Sequence, residues 1–414
     1  MKILLINHYA GSIYHGMEFR PYYMSKEWVK AGHEVVIVSA SFSHLRQKNP
    51  DVHNDNQEEI IGGIRYIWLK TPGYKGNGVG RVRNMLCFIH KLYKYLPVIT
   101  ANFTPDAVIA SSTYPLDSYP ARWIAKKHNA KFVFELHDLW PMSPQVLGHM
   151  SKWHPFIMIM QMAEDYWCKN ADVVISLLPD AYKHLVTRGM KMDKYHVVPN
   201  GVDVNEWSDS NAPLPNEHAA CLRELKEQNK FLVGYLGGHG ISNGLDTIID
   251  LAAKVIDNPQ IHFVLIGKGT EKGRLEKRTE GLHLKNVSFL PPVPKKAVPK
   301  ILKKMDVLIC VSPDTPLCQY GMSLNKIFDY MMSSKPILWA SSSSNDIVAA
   351  SYCGFTVSSG DVDGLKSQLL NIYVMNADEL SELGRNGKTY ILEHYTYSKL
   401  AQKFIDAING EKWE

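Results

Sequence analysis

The segment Gln319-Tyr320-Gly321-Met322-Ser323-Leu324-Asn325-Lys326-Ile327-Phe328-Asp329-Tyr330-Met331-Met332 carries the residue types of an anion site. It follows an apolar run over 307–311 and a Pro-containing loop, and Ser323 is placed to cap a helix reaching about Ser334. Gly321 lets the backbone come close to a ligand. The N–H groups from Met322 through Ser323 and Leu324 to Asn325, the positive helix end and the Lys326 ammonium would together hold a phosphate or diphosphate. Asp329, a turn further on, could accept hydrogen bonds from the two hydroxyls of a ribose. The same spacing also describes a capped amphipathic helix with a solvated Lys and Asp.

A second stretch, 234–246, opens from a strand into Gly237-Gly238-His239-Gly240, where missing side chains leave room for a ligand. Asn243 followed by Asp246 reads as a helix cap with an acidic first turn. A third loop, Gly267-Lys268-Gly269, lacks dinucleotide spacing and better suits a base or ribose contact from Lys268 or its backbone. In the front half, Glu135-Leu136-His137-Asp138 closes a strand with three titratable groups, the chemistry of acid/base work or substrate orientation. The loop Asn7–Arg20, with Gly11 and Gly16, is another strand-end loop. Each of these polar residues could equally be a satisfied structural group. Neither a G-x-S-x-G elbow nor a phosphate-binding loop of NTPases occurs, so serine hydrolases and NTPases lose support.

These residues need elements to position them. Short apolar runs begin at Lys2, Val35, Ala107, Phe132 and Val173, then again at Phe231, His262, Val287, Val307 and Pro336, with helix-length amphipathic stretches between. That rhythm predicts two α/β domains, each a parallel sheet covered on both faces, with the carboxyl ends of the sheets across a cleft. The first helix is expected from about Met17 to Ala31, with Gly32 as its stop. Val197-Val198-Pro199-Asn200-Gly201-Val202-Asp203 and the polar stretch Asp209–Glu217 mark the boundary, giving domains 1–203 and 204–390. The 414 residues are ample for two cores, and 45% hydrophobic with 21% charged residues excludes disordered and low-complexity classes.

Charge is uneven. Residues 1–200 hold 23 Lys and Arg against 16 Asp and Glu, while the remainder is slightly acidic. Over 81–131, Arg81, Arg83, Lys91, Lys94, Arg122, Lys126, Lys127 and Lys131 face only Asp106 and Asp117. This suits a phospholipid surface, a pyrophosphate-linked acceptor or nucleic acid, although no nucleic-acid module accompanies it. Residues 81–100 read as a basic face beside an apolar one, suited to an anionic membrane or to packing on a sheet, and 153–167 as apolar nearly all round, which fits burial first and membrane or subunit contact second. Six scattered cysteines without metal spacing fit a reducing cytosol and no metal. The apolar run at Lys2–Asn7 is too short for a signal peptide, and no stretch is long enough to span a membrane.

Taken together, several segments resemble the retaining, GT-B-fold, nucleotide-sugar-dependent glycosyltransferases of family 4. The closest likeness is to the bacterial surface-polysaccharide (O-antigen and capsule) branch that includes N-acetylfucosaminyl transferases. The segments are Asn7-His8-Tyr9-Ala10, Gly16-Met17 with Arg20-Pro21, Gly32-His33-Glu34-Val35, Asp138-Leu139-Trp140-Pro141, Pro199 to Asp203, His239-Gly240 with Asn243-Gly244-Leu245-Asp246, and Tyr320 through Lys326 to Met331. The broader family carries two donor-site glutamates eight positions apart. Here Asp329 stands at the second and Gly321 at the first, and the usual diphosphate-binding Arg and Lys correspond to His239 and Asn243. His137 agrees with the histidine common in the wider family, where the branch tends to have Arg.

The resemblance implies two Rossmann-like domains, the first binding the acceptor and the second the nucleotide sugar, with the helix in 391–414 packing back on the first. It implies transfer from a UDP-sugar to a polyprenyl-diphosphate-linked saccharide at the cytoplasmic face of the inner membrane, without metal or cofactor. Lys326, His137, Glu135 and Asp138 would be catalytic. Gly238, His239, Gly240, Asn243, Lys268, Gly321 to Asn325 and Asp329 would bind the donor, with Gly16 and Arg20 on the acceptor side. A sugar-nucleotide epimerase and a non-catalytic partner subunit are the alternatives on the same fold.

Overall fold

The computed structural model describes residues 1–76, 78–208 and 212–411; Asp209 to Asn211 of the expected linker, and the last three residues, lie outside it. The chain divides into two compact units. One is Met1–Asn200 with the segment from Tyr397 onward; the other is Gly201–Thr396.

The first unit is an eight-stranded sheet. Its strands are β1 (Lys2–Ile6), β2 (Glu34–Ala40), β3 (Gln57–Ile61), β4 (Ile64–Leu69), β5 (Ala107–Ala110), β6 (Lys131–Leu136), β7 (Val173–Ser176) and β8 (Tyr195–Val197), in the order β3-β4-β2-β1-β5-β6-β7-β8. All pairs are parallel except β3 with β4. The second unit is a six-stranded parallel sheet of β9 (Phe231–Leu236), β10 (Ile261–Ile266), β11 (Val287–Leu290), β12 (Val307–Val311), β13 (Ile337–Ala340) and β14 (Gly354–Val357), in the order β11-β10-β9-β12-β13-β14. Helices shield both faces, so central strands such as Ile3–Ile6 and Val307–Val311 are buried at every position and read as unbroken apolar runs.

Strand order decides where ligands can sit. β1 lies between β2 and β5, and β9 between β10 and β12, so each chain path reverses direction there and opens a crevice at the carboxyl ends of the strands. The segments after β1, β5, β6, β9 and β12 therefore carry the candidate sites.

Several expectations need correction. The first helix begins at Arg20, not Met17, because Met17 and Glu18 adopt left-handed φ of 54° and 46° and Glu18 O accepts from Gly11 N at 3.1 Å. Gly11 is required there: a Cβ would stand 1.8 Å from Met17 O. The boundary falls after Asn200 rather than after Asp203, since Val202 N donates to Tyr395 O at 2.9 Å and Val202 bridges Thr396. The helix Ala377–His394 stays in the second unit, where Ile391 is fully buried, so the return to the first unit starts at Tyr397 rather than 391.

The returning helix Tyr397–Asn409 packs on Arg20–Lys30. Trp28 Nε1 donates to Ala401 O at 3.0 Å, Trp28 meets Phe404 edge-on, and Tyr23 stacks on Tyr397. Leu400, Phe404, Ile405 and Ile408 are buried, each contributing about 1.5–3 kcal/mol of apolar transfer. The helix Pro155–Asn170 is not apolar-buried all round: Ile157, Met160 and Trp167 face inward, while Met158, Ile159 and Met162 are exposed, as is the preceding Trp153. Helix Val79–Ile99 buries Met85, Phe88, Leu92 and Leu96 and leaves Arg83 and Lys94 outside.

Candidate functional site

In the second unit, the helix Asn325–Met332 is pinned to the end of β9 by Tyr330, whose hydroxyl accepts from Leu236 N at 2.8 Å and donates to Leu236 O. Leu324, not Ser323, holds the cap position, and no side chain caps this helix end. Gly321 has φ 87°, and Asn345 clamps the next residue: Met322 N donates to Asn345 Oδ1 at 2.7 Å and Asn345 Nδ2 donates back to Met322 O at 2.9 Å. The Met322 amide is thus satisfied within the protein and is not offered to an anion. Asn325 is exposed at the first helical position, where the N–H groups of the first turn have no intrahelical acceptor.

Lys326 reaches across to the segment following β9. Its Nζ donates to Tyr235 Oη at 3.0 Å and to Asn243 Oδ1, and lies 4.8 Å from the Tyr235 ring centroid. Burial lowers the ammonium below its ordinary pKa. Asn243 does not cap the next helix, which runs Asp246–Lys254 with Leu245 in the cap position. Its amide is turned to Lys326 and over the glycine loop, where a Cβ on Gly238 or Gly240 would meet Asn243 Nδ2 at 3.5 or 3.9 Å.

His239 is fully buried and neither ring nitrogen has a hydrogen-bond partner. Burial, then Lys272 and Lys326, lower its pKa to about 4, so the imidazole is neutral at pH 7 and adds no cation. Lys268 contributes through its backbone: Lys268 O accepts from His239 N at 2.9 Å while its side chain is exposed. A Cβ on Gly269 would stand 2.2 Å from His239 O, so the second and third loops pack backbone against backbone.

Asp329 is not brought to Lys326. It is half-buried, accepts a hydrogen bond from Trp207 and faces the Lys295–Glu206 ion pair; burial pushes its carboxyl up to about 7.

In the first unit, the ends of β5 and β6 build a closed polar network. Arg20 Nε donates to Glu135 Oε1 at 2.9 Å, and its two Nη groups donate to Pro199 O and Val198 O at 2.5 and 2.7 Å. Ser111 Oγ donates to Glu135 Oε2 at 2.5 Å and sits 3.0 Å from His137 Nε2, while Asn7 Nδ2 donates to Ser111 O at 2.6 Å. Burial favours the neutral form of Glu135, but Arg20, His137 and Ser111 outweigh it and bring the carboxyl down to about 2. Burial also opposes the charged His137; Glu135, 3.4 Å away, overcomes this and raises the imidazole pKa.

Two roles change as a result. Glu135 is 2% exposed, its carboxylate held among Arg20, Ser111 and His137. Arg20 is 5% exposed and all three guanidinium nitrogens are engaged, so it is a structural cation, not an acceptor contact. His137 and the exposed Asp138 line a small pocket with Ser112, Thr113, Pro115 and Trp140. Gly16, at φ 68°, turns the loop against Gln47. Ser111, Tyr235 and Asn345 were missed. Only Ser111 had a signal, its place at a strand end.

The family model described as "Glycosyl transferase 4-like domain" matches residues 15–201, and that described as "Glycosyl transferases group 1" matches 230–374. Both units are glycosyltransferase domains. The chain is 23% identical over 295 residues, 69% of its length and 70% of the relative's, to a protein of Escherichia coli K12 named as a colanic acid biosynthesis glycosyl transferase, WcaI. Sucrose-phosphate synthase from Thermosynechococcus elongatus superposes with a TM-score of 0.72 at 17% identity, covering 99% of this chain and 98% of that one. Anabaena Alr3699/HepE, in complex with UDP-glucose, gives 0.66 at 15% identity, covering 99% of each chain. The fold is that of GT-B glycosyltransferases. In this glycosyltransferase, the second unit places the half-buried Lys326 ammonium at its switch point, and the first places a histidine with a raised pKa beside a carboxylate held well below the usual range.

Proposed function

We propose that the protein transfers a sugar from a UDP-sugar to a polyprenyl-diphosphate-linked saccharide in bacterial surface-polysaccharide synthesis. The first unit takes the acceptor and the second the donor. The sugar is an N-acetylated deoxyhexosamine such as N-acetylfucosamine, or another N-acetylhexosamine, and transfer retains the anomeric configuration without metal or cofactor.

The observation that carries this reading is the Lys326 ammonium held beside the glycine loop at the β9/β12 switch point. A departing diphosphate gains negative charge as the glycosidic bond breaks, and a fixed cation in a partly dry site stabilises that charge more than it stabilises the ground state. The HepE complex supports UDP as the carrier, and the WcaI likeness supports an exopolysaccharide product. His137, held by Glu135 and Ser111, orients or deprotonates the acceptor hydroxyl.

Docking at the cytoplasmic face of the inner membrane belongs to the same reading. Among the described residues no helix is long and apolar enough to cross a bilayer. Exposed Arg83, Lys94, Lys126 and Lys127 accompany exposed Leu86, Tyr93, Trp153, Ile159 and Met162, a mixture suited to an anionic interface. The test is incubation with a panel of UDP-sugars and a lipid-linked acceptor, with and without chelator. Chelator-insensitive transfer with retained configuration is expected. No transfer from any donor, together with no thermal shift on adding UDP, overturns the proposal.

A further inference from the structure

Tyr235 lies inside β9 among Val233, Phe263 and Leu265 and is fully buried, a place where a phenylalanine ring would pack equally well. Its hydroxyl does what a phenylalanine cannot. Tyr235 Oη donates to Gly238 O at 2.9 Å and accepts from Lys326 Nζ at 3.0 Å, with the ammonium 4.8 Å from its ring centroid. A phenol has one proton, and a carbonyl can only accept, so the proton is committed to Gly238 and a lone pair faces the ammonium. Burial raises the Tyr235 pKa well above its ordinary value and keeps that proton in place. The loop makes room for the arrangement: a Cβ on Gly237 would stand 2.9 Å from Tyr235 Oη.

We propose that Tyr235 is a positioning residue for the diphosphate of a nucleoside-diphosphate donor, locking the Lys326 ammonium to the glycine loop so that cation and loop meet the leaving group as one preorganised unit. The inference rests on the donor-site reading above. A lysine on a flexible four-carbon stem would otherwise lose rotamer freedom on binding; here that ordering is already done. Of the three ammonium protons, one goes to Tyr235 and one to Asn243, and among the described residues no third acceptor is present, which leaves one directed to an anion.

The test measures UDP and uridine binding to the full chain by calorimetry. Tyr235→Phe should weaken UDP about tenfold, the loss of one hydrogen bond to a charged group, and leave uridine unchanged, because only UDP carries the diphosphate. Gly237→Ala, which displaces the hydroxyl without removing it, should show the same phosphate-selective loss and guards against a misfolded Tyr235→Phe. In a Lys326→Met background, Tyr235→Phe should change UDP affinity no further. UDP binding by Tyr235→Phe within twofold of wild type overturns the proposal. So does an equal loss for UDP and uridine, or additive losses in the double variant. Absence of UDP binding by the wild type overturns the donor-site reading itself, and the proposal with it.

Discussion

Arg20→Ala offers a direct test of the buried network behind His137. The guanidinium and the Glu135 carboxylate are 5% and 2% exposed, and Arg20 also satisfies Val198 O and Pro199 O. Removing it strands a buried carboxylate, for which the expected cost is about 3–5 kcal/mol. Arg20, together with His137 and Ser111, brings the Glu135 carboxyl from an ordinary 4.5 down to about 2 against the opposing effect of burial, a net shift on the order of 3 kcal/mol that the three partners share.

Because the folded-state value is depressed, this stability is fully present above the unfolded-state pKa and is lost as pH falls through the folded value near 2. In Arg20→Ala the Glu135 pKa rises, so this acid-labile contribution is already absent and the deficit relative to wild type should shrink as pH falls towards 2. The first unit should melt roughly 6–20 °C lower at pH 7, taking about 2–4 °C per kcal/mol for a domain of this size. The assay is calorimetry across pH on Arg20→Ala, Glu135→Gln and the double variant. Since the double variant no longer buries an unpaired charge, it should be more stable than Arg20→Ala alone. A loss below about 1 kcal/mol for Arg20→Ala, or a double variant no better than the single, would refute the claim that Glu135 is ionised and held by Arg20.

Other consequences can be measured separately. Glu135→Gln should lower the His137 pKa followed by NMR, since Glu135 is what raises it; in the wild type, the stability linked to His137 is complete below the unfolded-state pKa and fades as pH climbs through the raised folded value. An unchanged titration would remove Glu135 as the cause. Asn243→Asp places a carboxylate on the Lys326 ammonium and should weaken UDP binding by at least about tenfold in calorimetry, whereas Asn243→Ala should weaken it far less. Phe404→Ala should cost about 3–5 kcal/mol and expose the last helix to limited proteolysis, because Phe404 is fully buried against Trp28. Vesicle co-sedimentation should favour anionic over neutral lipid, weaken with salt, and fall on charge reversal of Lys94 and Lys126.

The parallel strands were legible because their burial on both faces demands continuous apolar runs, and β9, β11 and β12 begin at the residues where the runs in the sequence begin. The β3–β4 hairpin was missed although Gly62-Gly63 marks its turn, since Gln57–Ile61 alternates on an edge and never forms an apolar run. β14 is only partly buried along its length and gave an equally weak pattern.

For the candidate site, local chemistry identified Lys326 in the first turn of a helix and Asn243, His137 and Glu135 at or after strand ends, because spacing along one strand or helix is written in adjacent residues. What each group does was settled by partners far away in the chain. Arg20 is neutralised by Glu135, 115 positions on, and Lys326 meets Tyr235, 91 positions back. His239 lost its charge to burial under a loop that begins at Gly267. Periodicity and capping rules operate within a few residues, whereas desolvation and ion pairing depend on which strands lie side by side, and strand order exists only once the sheets have formed.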